Sequence, residues 1–513
     1  MNKPYEWAAA PAQAARPEKK PWAAAPPRLI ASASVFGALF AYLLVHREPG
    51  LNFTILVLAA YAFAFINRGL FVQRTFRQEW PVYIATIPVL LLAVLFFTTD
   101  TVLNILSVPV ILLVMAAQYL VISGNAVYGW DHPGFIADLI FGGLNRGLLA
   151  MGLYSAGLFG ALFRGRSQKK AGVLAGVAAG AVLLLIVAPL LLLSDPNIAG
   201  ALQAFFRFLD FGDIILYLFV FYLGATLVTA PIASAKSPEL TGQRKAGEKA
   251  PGRPIPAVTT GIALTMLGVV YVLFAAVQFG YFFLPQETIR TVLGLTSSAY
   301  AVRGFGELLL VTCINFAVIL AAQRFTALKD GKIPPYIKAL LTLLVAFNFV
   351  IMASSHLRIE VYEASFGHTV LRFLSHSFMV LLLVLNAIVL LRIFMPRVKV
   401  VKLFMAAALA YFCTVTAIGP ERYVANRNIE RYERAAAAGV GQDVDTGYLM
   451  VLSDSAMPAV CDFLQRHPEL MTEDIRSTAE ARLTYIRSRN GGWQSLNTAR
   501  IGARQALEKL LEG

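Results

Sequence analysis

The sequence has 513 residues, of which 58% are hydrophobic and only 14% are charged, and its mean hydropathy is +0.65. Soluble globular chains have about 45–50% apolar and about 25% charged residues, so these values exclude an ordinary soluble fold. The net charge of +14 does not indicate a nucleic-acid partner, because the excess basic residues lie in short segments between apolar runs. Three scattered cysteines predict neither a disulfide framework nor a metal site, and no cofactor is expected.

The apolar residues form continuous runs rather than alternating with polar ones, which predicts membrane-spanning helices and not barrel strands. Residues 1–28, rich in alanine, proline and basic side chains, are expected to be a disordered cytoplasmic tail with no signal peptide. We therefore predict an all-α fold, a polytopic transmembrane helical bundle of about 11 spans with a small C-terminal soluble helical domain. The predicted spans are Leu29–Val45, Asn52–Ile66, Pro81–Thr98, Val102–Ile122, Ala171–Leu193, Ile214–Ile232, Val258–Phe283, Glu307–Ala322, Ala339–Ser355, Leu371–Ile393 and Leu403–Ile418.

The charges in the connections predict the orientation of this bundle in the membrane. Segments within 1–28, 68–77, 164–170, 236–253, 324–338 and 397–402 are basic-rich, whereas the alternate connections are short or of mixed sign. Since basic loops face the cytoplasm, the N-terminus is predicted to be cytoplasmic and the C-terminus extracytoplasmic. The membrane is expected to be the cytoplasmic (inner) membrane of a bacterium.

One segment, 135–163, is apolar but glycine-rich and polar at Asp138, Asn145 and Arg146. We interpret it as interfacial or re-entrant on the cytoplasmic side, since a crossing there would invert every later loop. The predicted division is then a first membrane half at 29–232, a cytoplasmic linker at 233–257, a second membrane half at 258–419 and an extracytoplasmic helical domain at 420–513.

Ionisable residues gather at the outer ends of spans in the second half. Keeping an ionisable group at membrane depth costs free energy, so these residues are candidates for a functional site. Arg303 and Glu307 are four residues apart and share a helix face, so they either form an interfacial ion pair or contact a ligand. The richest stretch runs from His356 to Arg372. The candidate substrate-binding residues are Arg303, Glu307, Arg358, Glu360, Tyr362, Glu363, His368 and Arg372.

Several chemistries are open to this stretch. Arg358 and Arg372 suit an anionic ligand, and Glu360, Glu363 or a histidine suits acid–base chemistry. His368, Arg372 and His376 are four residues apart, which predicts one shared helix face. A metal site from His356, Glu360 and His368 lacks a recognised spacing and is not expected. An ion-pair belt that orders the outer mouth of the bundle is the structural alternative.

Six pieces of the second half and the tail carry a resemblance. The sequence resembles a bacterial integral-membrane family known only as a domain of unknown function numbered 4173, with a related neighbour numbered 4153. The pieces are Tyr271–Phe283, Tyr300–Leu308, Arg358–Arg372, Val424–Arg431, Asp445–Ala459 and Trp493–Arg500. The sequence departs from the family pattern at Val302 and Gly306. The resemblance implies no reaction, but it indicates the same span ends as the location of a functional site.

Two functions therefore remain open, and whether the chain is an enzyme is undecided. The first is handling of an anionic or lipid-like cell-envelope substrate at an outward-facing polar site. The second is a non-enzymatic signalling or scaffold role, in which the C-terminal helical domain binds a protein partner. No phosphate-binding glycine loop, nucleophile elbow or zinc-protease motif occurs in the sequence, so ATP-driven transport and the common hydrolase mechanisms lack support.

Overall fold

A computed structural model of the chain describes residues 25–142, 152–161, 211–236, 255–282, 297–328, 332–439, 441, 443–489 and 492–512. These residues form helices and connecting turns without any β-strand. The helices are α1 (Pro27–Leu44), α2 (Leu51–Ile66), α3 (Arg68–Phe71), α4 (Phe76–Ile84), α5 (Thr86–Thr98), α6 (Leu103–Ile122), α7 (Gly134–Ala137), α8 (152–161), α9 (Phe211–Lys236), α10 (Ala257–Phe282), α11 (Ser297–Phe325), α12 (Pro335–Phe366), α13 (Val370–Phe394), α14 (Val400–Ile418), α15 (Pro420–Ala437), α16 (Thr446–Val451), α17 (Met457–Arg466), α18 (Glu473–Ser488) and α19 (Thr498–Glu512).

The chain is a multi-pass membrane protein. Within the described residues, eight helices are long and apolar enough to cross a membrane, and each coincides with a predicted span. Two further predicted spans correspond to shorter apolar helices, Leu51–Ile66 and Leu309–Phe325. The remaining one, Ala171–Leu193, lies outside the described residues, so the count of about 11 stays a prediction.

One predicted span is divided in two. The run Pro81–Thr98 belongs to α4 and α5, which meet at Ala85, and Glu79 inside α4 leaves helical geometry with φ −134° and ψ 41°. Pro81 explains the departure at Glu79 and Pro88 explains the division at Ala85, because proline lacks an N–H and its ring clashes with the carbonyl four residues earlier. From Phe76 to Thr98 the segment is still 23 residues long and apolar enough over most of its length to cross a membrane.

At one end of the bundle, described parts of the basic connections lie near one another; we call it the basic end. The Ile255 N–H donates to the Phe325 carbonyl across 2.8 Å, joining the start of α10 to the end of α11. Lys399, just before α14, pairs with Asp131 at 3.0 Å. Lys402 lies 3.6 Å from the Trp130 ring centroid, a cation–π contact. The described residues just before α10, α12 and α14 therefore lie at this end.

Described parts of the segment 135–163 pack near the start of α1. The Ala25 N–H donates to the Leu153 carbonyl at 3.0 Å, and the hydroxyls of Ser34 and Tyr154 lie 2.9 Å apart. Tyr154 is fully buried there. Residues 143–151 and 162–163 lie outside the described part, so the re-entrant interpretation stays a prediction.

The C-terminal helices α15–α19 share a hydrophobic core of their own. Phe463, Val460, Met457 and Leu507 are fully buried in it, together with Ala503 from α19. α17 and α18 are amphipathic, with apolar residues on one face, which is why they form a small bundle and not further spans. We call α15–α19 the C-terminal bundle.

The C-terminal bundle docks on the turn between α5 and α6, where peptide groups have left their helices. The Asn497 side-chain amide donates to the carbonyls of Phe96 and Thr99, both at 2.9 Å. The Ser453 hydroxyl donates to the Asp100 carbonyl at 2.6 Å, and the Asp100 N–H donates to the Ser455 hydroxyl at 2.7 Å. Side chains of the bundle therefore complete the hydrogen bonding of this turn.

A second turn, between α1 and α2, is held in the same way. The Leu51 N–H donates to the Leu496 carbonyl at 2.9 Å. Glu48 pairs with Arg489 at 2.7 Å and with Arg500 at 3.0 Å. The end of the bundle that carries these turns is called the docking end.

Charges at the docking contact are partly desolvated. Asp454 pairs with Arg482 at 2.7 Å, and the two side chains are only 12% and 16% exposed. Burial, followed by repulsion from the neighbouring Asp454 carboxylate, raises the pKa of Asp100. The docked interface is thus a connected set of charged groups rather than a row of independent surface pairs.

A chain of buried amides crosses the second membrane half. The Tyr271 hydroxyl donates to Asn315 Oδ1 (2.6 Å), Asn315 Nδ2 donates to Asn348 Oδ1 (2.5 Å), and Asn348 Nδ2 donates to Asn386 Oδ1 (2.8 Å). Asn386 Nδ2 ends the chain on the carbonyl of Leu382 at 2.9 Å. The three asparagines are fully buried. This amide ladder links α10, α11, α12 and α13, and its bonds run in one direction with each amide both donating and accepting.

We expect Asn348→Leu to lower the free energy of unfolding by about 1–2 kcal/mol, because hydrogen bonds between membrane helices contribute on that scale. The change leaves Asn315 Nδ2 without its acceptor and Asn386 Oδ1 without its donor. The measurement is a double-mutant cycle with Asn386→Leu in detergent, where the second change should cost less than it does alone. Thr414→Val is the control, since the exposed Thr414 hydroxyl bonds only its own helix at Ala410. Full additivity of the two asparagine changes would contradict the ladder.

Candidate functional site

The site lies where α12 extends beyond its apolar part. The apolar span in α12 ends at Leu357, but the helix continues to Phe366 and carries the polar stretch with it. Gly367 then ends the helix with φ +75°, a left-handed conformation that favours glycine. Thr369 begins the next helix, and its hydroxyl accepts from the Arg372 N–H. A turn of only three residues, 367–369, therefore separates α12 from α13.

Glu363 is the centre of the site. Its Oε2 lies 3.4 Å from His368 Nδ1 and 3.3 Å from His376 Nε2, and its side chain is only 12% exposed. The two histidines come from different places: His368 from the turn and His376 from the second turn of α13. One carboxylate oxygen is thus approached by two imidazoles.

The contacts continue outward from His376. His376 Nδ1 lies 3.0 Å from His356 Nδ1, and the two rings meet edge to face. His356 Nε2 in turn lies 3.8 Å from Glu360 Oε2, one helical turn along α12. Glu363, His376, His356 and Glu360 therefore form a continuous series, which we call the Glu–His series.

Burial alone raises the pKa of Glu363, but hydrogen bonds from His368 and His376, with their charges, outweigh it and bring the pKa to about 2. Glu363 is consequently an ionised acceptor at neutral pH. Within the described parts of the chain, no group of three or more His, Cys, Asp or Glu residues could hold a metal ion. The chemistry these groups can offer is proton exchange and hydrogen bonding to a polar ligand.

The C-terminal bundle fixes the turn that carries His368. Asn428 of α15 accepts the His368 N–H at its Oδ1 and donates from its Nδ2 to the His368 carbonyl, both at 2.8 Å. The Tyr448 hydroxyl accepts the N–H of Val370 at 3.1 Å. Arg372 donates from its guanidinium to the Gly367 carbonyl. The turn is therefore bonded on both sides, and the site is shared between the membrane helices and the bundle.

The structure brings together part of the predicted site. Glu363 and His368 are in contact, Glu360 is connected to Glu363 through His356 and His376, and Arg372 of α13 bonds the Gly367 carbonyl of the turn. The other four candidates are placed only by backbone: Arg303 and Glu307 in α11, and Arg358 and Tyr362 in α12, with their side chains outside the described part.

One prediction about this stretch is wrong. His368 does not share a helix face with Arg372 and His376, because α13 begins only at Val370 and His368 lies in the preceding turn. The positive φ of Gly367 and the capping by Thr369 end the periodicity that the four-residue spacing assumed. His376 still meets His368 at Glu363, but across a turn rather than along one face.

Asn428, Tyr448 and His376 were absent from the predicted site. Asn428 and Tyr448 lie within two of the pieces that carry the family resemblance, Val424–Arg431 and Asp445–Ala459. That resemblance was the one feature of the sequence that pointed to these two residues. Their contacts span 60 and 78 residues of sequence, so no local pattern could reveal them.

Residues 86–462, nearly three quarters of the chain, match the family described as Domain of unknown function (DUF4153). The chain belongs to this family. The matched region runs from α5 into α17, so the DUF4153 region includes the site and most of the helices that contact it. The resemblance to the neighbouring family numbered 4173 stays a prediction. No curated protein and no solved structure matches the chain.

We expect Gly367→Ala to destabilise the protein by about 1–3 kcal/mol more than Gly439→Ala. Both glycines have positive φ, +75° and +68°, so both variants bear a backbone cost, which is increased at Gly367 because its ψ of −177° completes a conformation that essentially only glycine adopts. Only at position 367 would the new Cβ meet Asn428 Oδ1 at 2.8 Å, and moving that amide breaks its bonds to His368. Thermal unfolding in detergent measures the difference, and equal losses would show that the Asn428 contact does not hold the turn.

Proposed function

We propose that this DUF4153 protein handles an anionic or lipid-like cell-envelope substrate at the docking end, through the polar site around Glu363. The observation that carries the proposal is the half-buried cluster of imidazoles and carboxylates at the ends of α12 and α13, next to Arg372. Ionisable groups at span ends are costly to retain and are therefore functional candidates. The lipid acyl chains would extend along the apolar helices while the headgroup meets the site.

The proposed orientation places the docking end outside a bacterial cytoplasmic membrane, with the N-terminus in the cytoplasm. Support comes from the charge of the two ends. The basic end carries exposed cations including Arg68, Arg77, Arg324, Lys332, Arg397 and Lys399. The docking end presents Glu48 and Asp100 in its turns, Asp213 at the start of α9 and Glu360 near the end of α12.

The orientation predicts opposite results for two fusions. Alkaline phosphatase joined after Glu512 should be active, because the enzyme folds only outside the cytoplasm, whereas the same enzyme joined after Arg397 should be inactive. A green fluorescent protein fusion at each position gives the reciprocal measurement. Activity after Arg397 with none after Glu512 would show that the bundle has the opposite orientation, with the docking end and its site facing the cytoplasm.

The substrate proposal is tested by lipid retention. Native mass spectrometry of the detergent-purified protein should show retained phosphatidylglycerol in preference to phosphatidylcholine. We expect Arg372→Gln and His368→Gln to lower that retention several-fold, since each removes a cationic or donating group at the site. Lys332→Gln is the matched control, because it removes one exposed positive charge at the basic end.

An equal loss of lipid retention in the control and the site variants would mean that retention depends on the net charge of the protein, and it would overturn the proposal. Thermal midpoints of all variants separate loss of the site from loss of folding. Unchanged retention in both site variants would favour the second candidate, a scaffold whose C-terminal bundle binds a partner. The separate hydrophobic core of the C-terminal bundle is the observation that keeps this candidate open.

Truncation after Gly419 does not separate the two candidates. It would remove the partner-binding bundle, but it would also remove Asn428 and Tyr448, which hold the turn of the site. Point variants that leave the docked bundle in place are therefore the informative ones.

A further inference from the structure

The contact between His356 and His376 has a consequence for where protons lie. Their Nδ1 atoms are 3.0 Å apart, a hydrogen-bond distance. One nitrogen must then carry a hydrogen and the other a lone pair, because two lone pairs at this distance repel. The pair therefore holds one proton between the two Nδ1 atoms.

The two outer nitrogens of the pair face carboxylates. His376 Nε2 lies 3.3 Å from Glu363 Oε2, and an ionised carboxylate only accepts hydrogen bonds, so this nitrogen carries a hydrogen. His356 Nε2 faces Glu360 Oε2 at 3.8 Å, an ion-pair separation that is attractive when His356 is charged. A hydrogen on His356 Nε2, which the Glu360 carboxylate favours, brings the pair to three hydrogens, whereas two neutral imidazoles supply only two.

We propose that His356 and His376 share one extra proton, and that Glu363, His376, His356 and Glu360 form a proton-binding relay. The ligand of this site is the proton itself. The relay rests on the same residues as the proposed function, but it requires no particular substrate.

Exposure gives the relay a direction. Glu360 and His356 are 66% and 56% exposed, whereas His376 and Glu363 are 22% and 12% exposed. A proton enters from solvent at His356 and is passed inward to His376, which lies against the ionised Glu363 carboxylate. The relay therefore joins water at the docking end to the protected centre of the site.

The transfer step balances without any further reactant. His356 begins as an imidazolium and passes its Nδ1 proton to His376 Nδ1. His356 ends neutral with Nε2–H, and His376 ends as an imidazolium with Nδ1–H and Nε2–H against the ionised Glu363 carboxylate. Only N–H bonds change.

Other charged and polar groups face the series from each element that packs on it. The turn contributes His368, whose Nδ1 shares Glu363 Oε2 at 3.4 Å. α13 contributes Arg372, which bonds the Gly367 carbonyl, and α15 contributes Arg431, whose guanidinium lies beside Gly367. These cations favour ionised Glu363 and oppose a second extra proton on the histidine pair, which is why the pair holds one.

The relay is tested by nitrogen-15 NMR of the full-length protein in phosphatidylglycerol–phosphatidylcholine bilayers with labelled histidine. The chain has six histidines, so single substitutions assign every signal. We expect a coupling through the hydrogen bond between His356 and His376 Nδ1, and three protonated ring nitrogens across the pair. On raising the pH, the pair should lose one proton in a single shared step that moves both residues together.

His356→Gln should abolish the coupling and return His376 to an ordinary neutral imidazole, while Glu360→Gln should make the shared proton leave at lower pH. His46, His132 and His467 act as internal references, since unchanged signals show that a variant is folded. Independent titration of His356 and His376 in the unsubstituted protein, with no coupling, would overturn the relay whatever the variants do. Lipid retention is a separate measurement, so failure of the relay and failure of the substrate proposal are distinguishable results.

Discussion

Peptide groups at the turns between membrane helices need hydrogen-bond partners, and in this protein the C-terminal bundle supplies them. Asn497 satisfies two carbonyls at the end of α5, and Asn428 satisfies both the N–H and the carbonyl of His368. An unsatisfied buried peptide group costs about 1–3 kcal/mol, so each of these amides fixes the position of a turn. The docking end is built on this requirement, because the turns cannot shift without losing those bonds.

The site depends on the same contacts. His368 reaches Glu363 only because the turn 367–369 is bonded to Asn428 on one side and to Tyr448 through Val370 on the other. The membrane helices supply Glu363 and His376, which are rigidly placed by α12 and α13. A site shared in this way is sensitive to the bundle although no bundle residue supplies its central carboxylate.

Below the docking end, the two membrane halves are held by different means. In the first half, α1 and α9 approach closely where Gly37 faces the Phe221 carbonyl and Gly224 faces the Phe40 ring. A Cβ at Gly37 would lie 2.5 Å from that carbonyl, so the missing side chain permits the contact. In the second half the amide ladder joins four helices by hydrogen bonds instead. The ladder is closed on Leu382, which makes it a structural link rather than a binding site.

The sequence by itself determined the membrane class, the helical fold and the position of eight spans, because continuous apolar runs of sufficient length are a local property of the chain. It also located the polar stretch from His356 to Arg372. The break at Pro81 was readable in principle, since proline acts on its own helix.

Only the tertiary structure decided how the site is assembled. Glu363 meets His376 across a turn, Asn428 reaches His368 over 60 residues, and the ladder joins residues 33 to 44 positions apart. Helical periodicity relates residues three or four positions apart and carries no information about such pairings. The four-residue spacing of His368 and Arg372 was misleading for that reason, because Gly367 and Thr369 had already ended one helix and begun another.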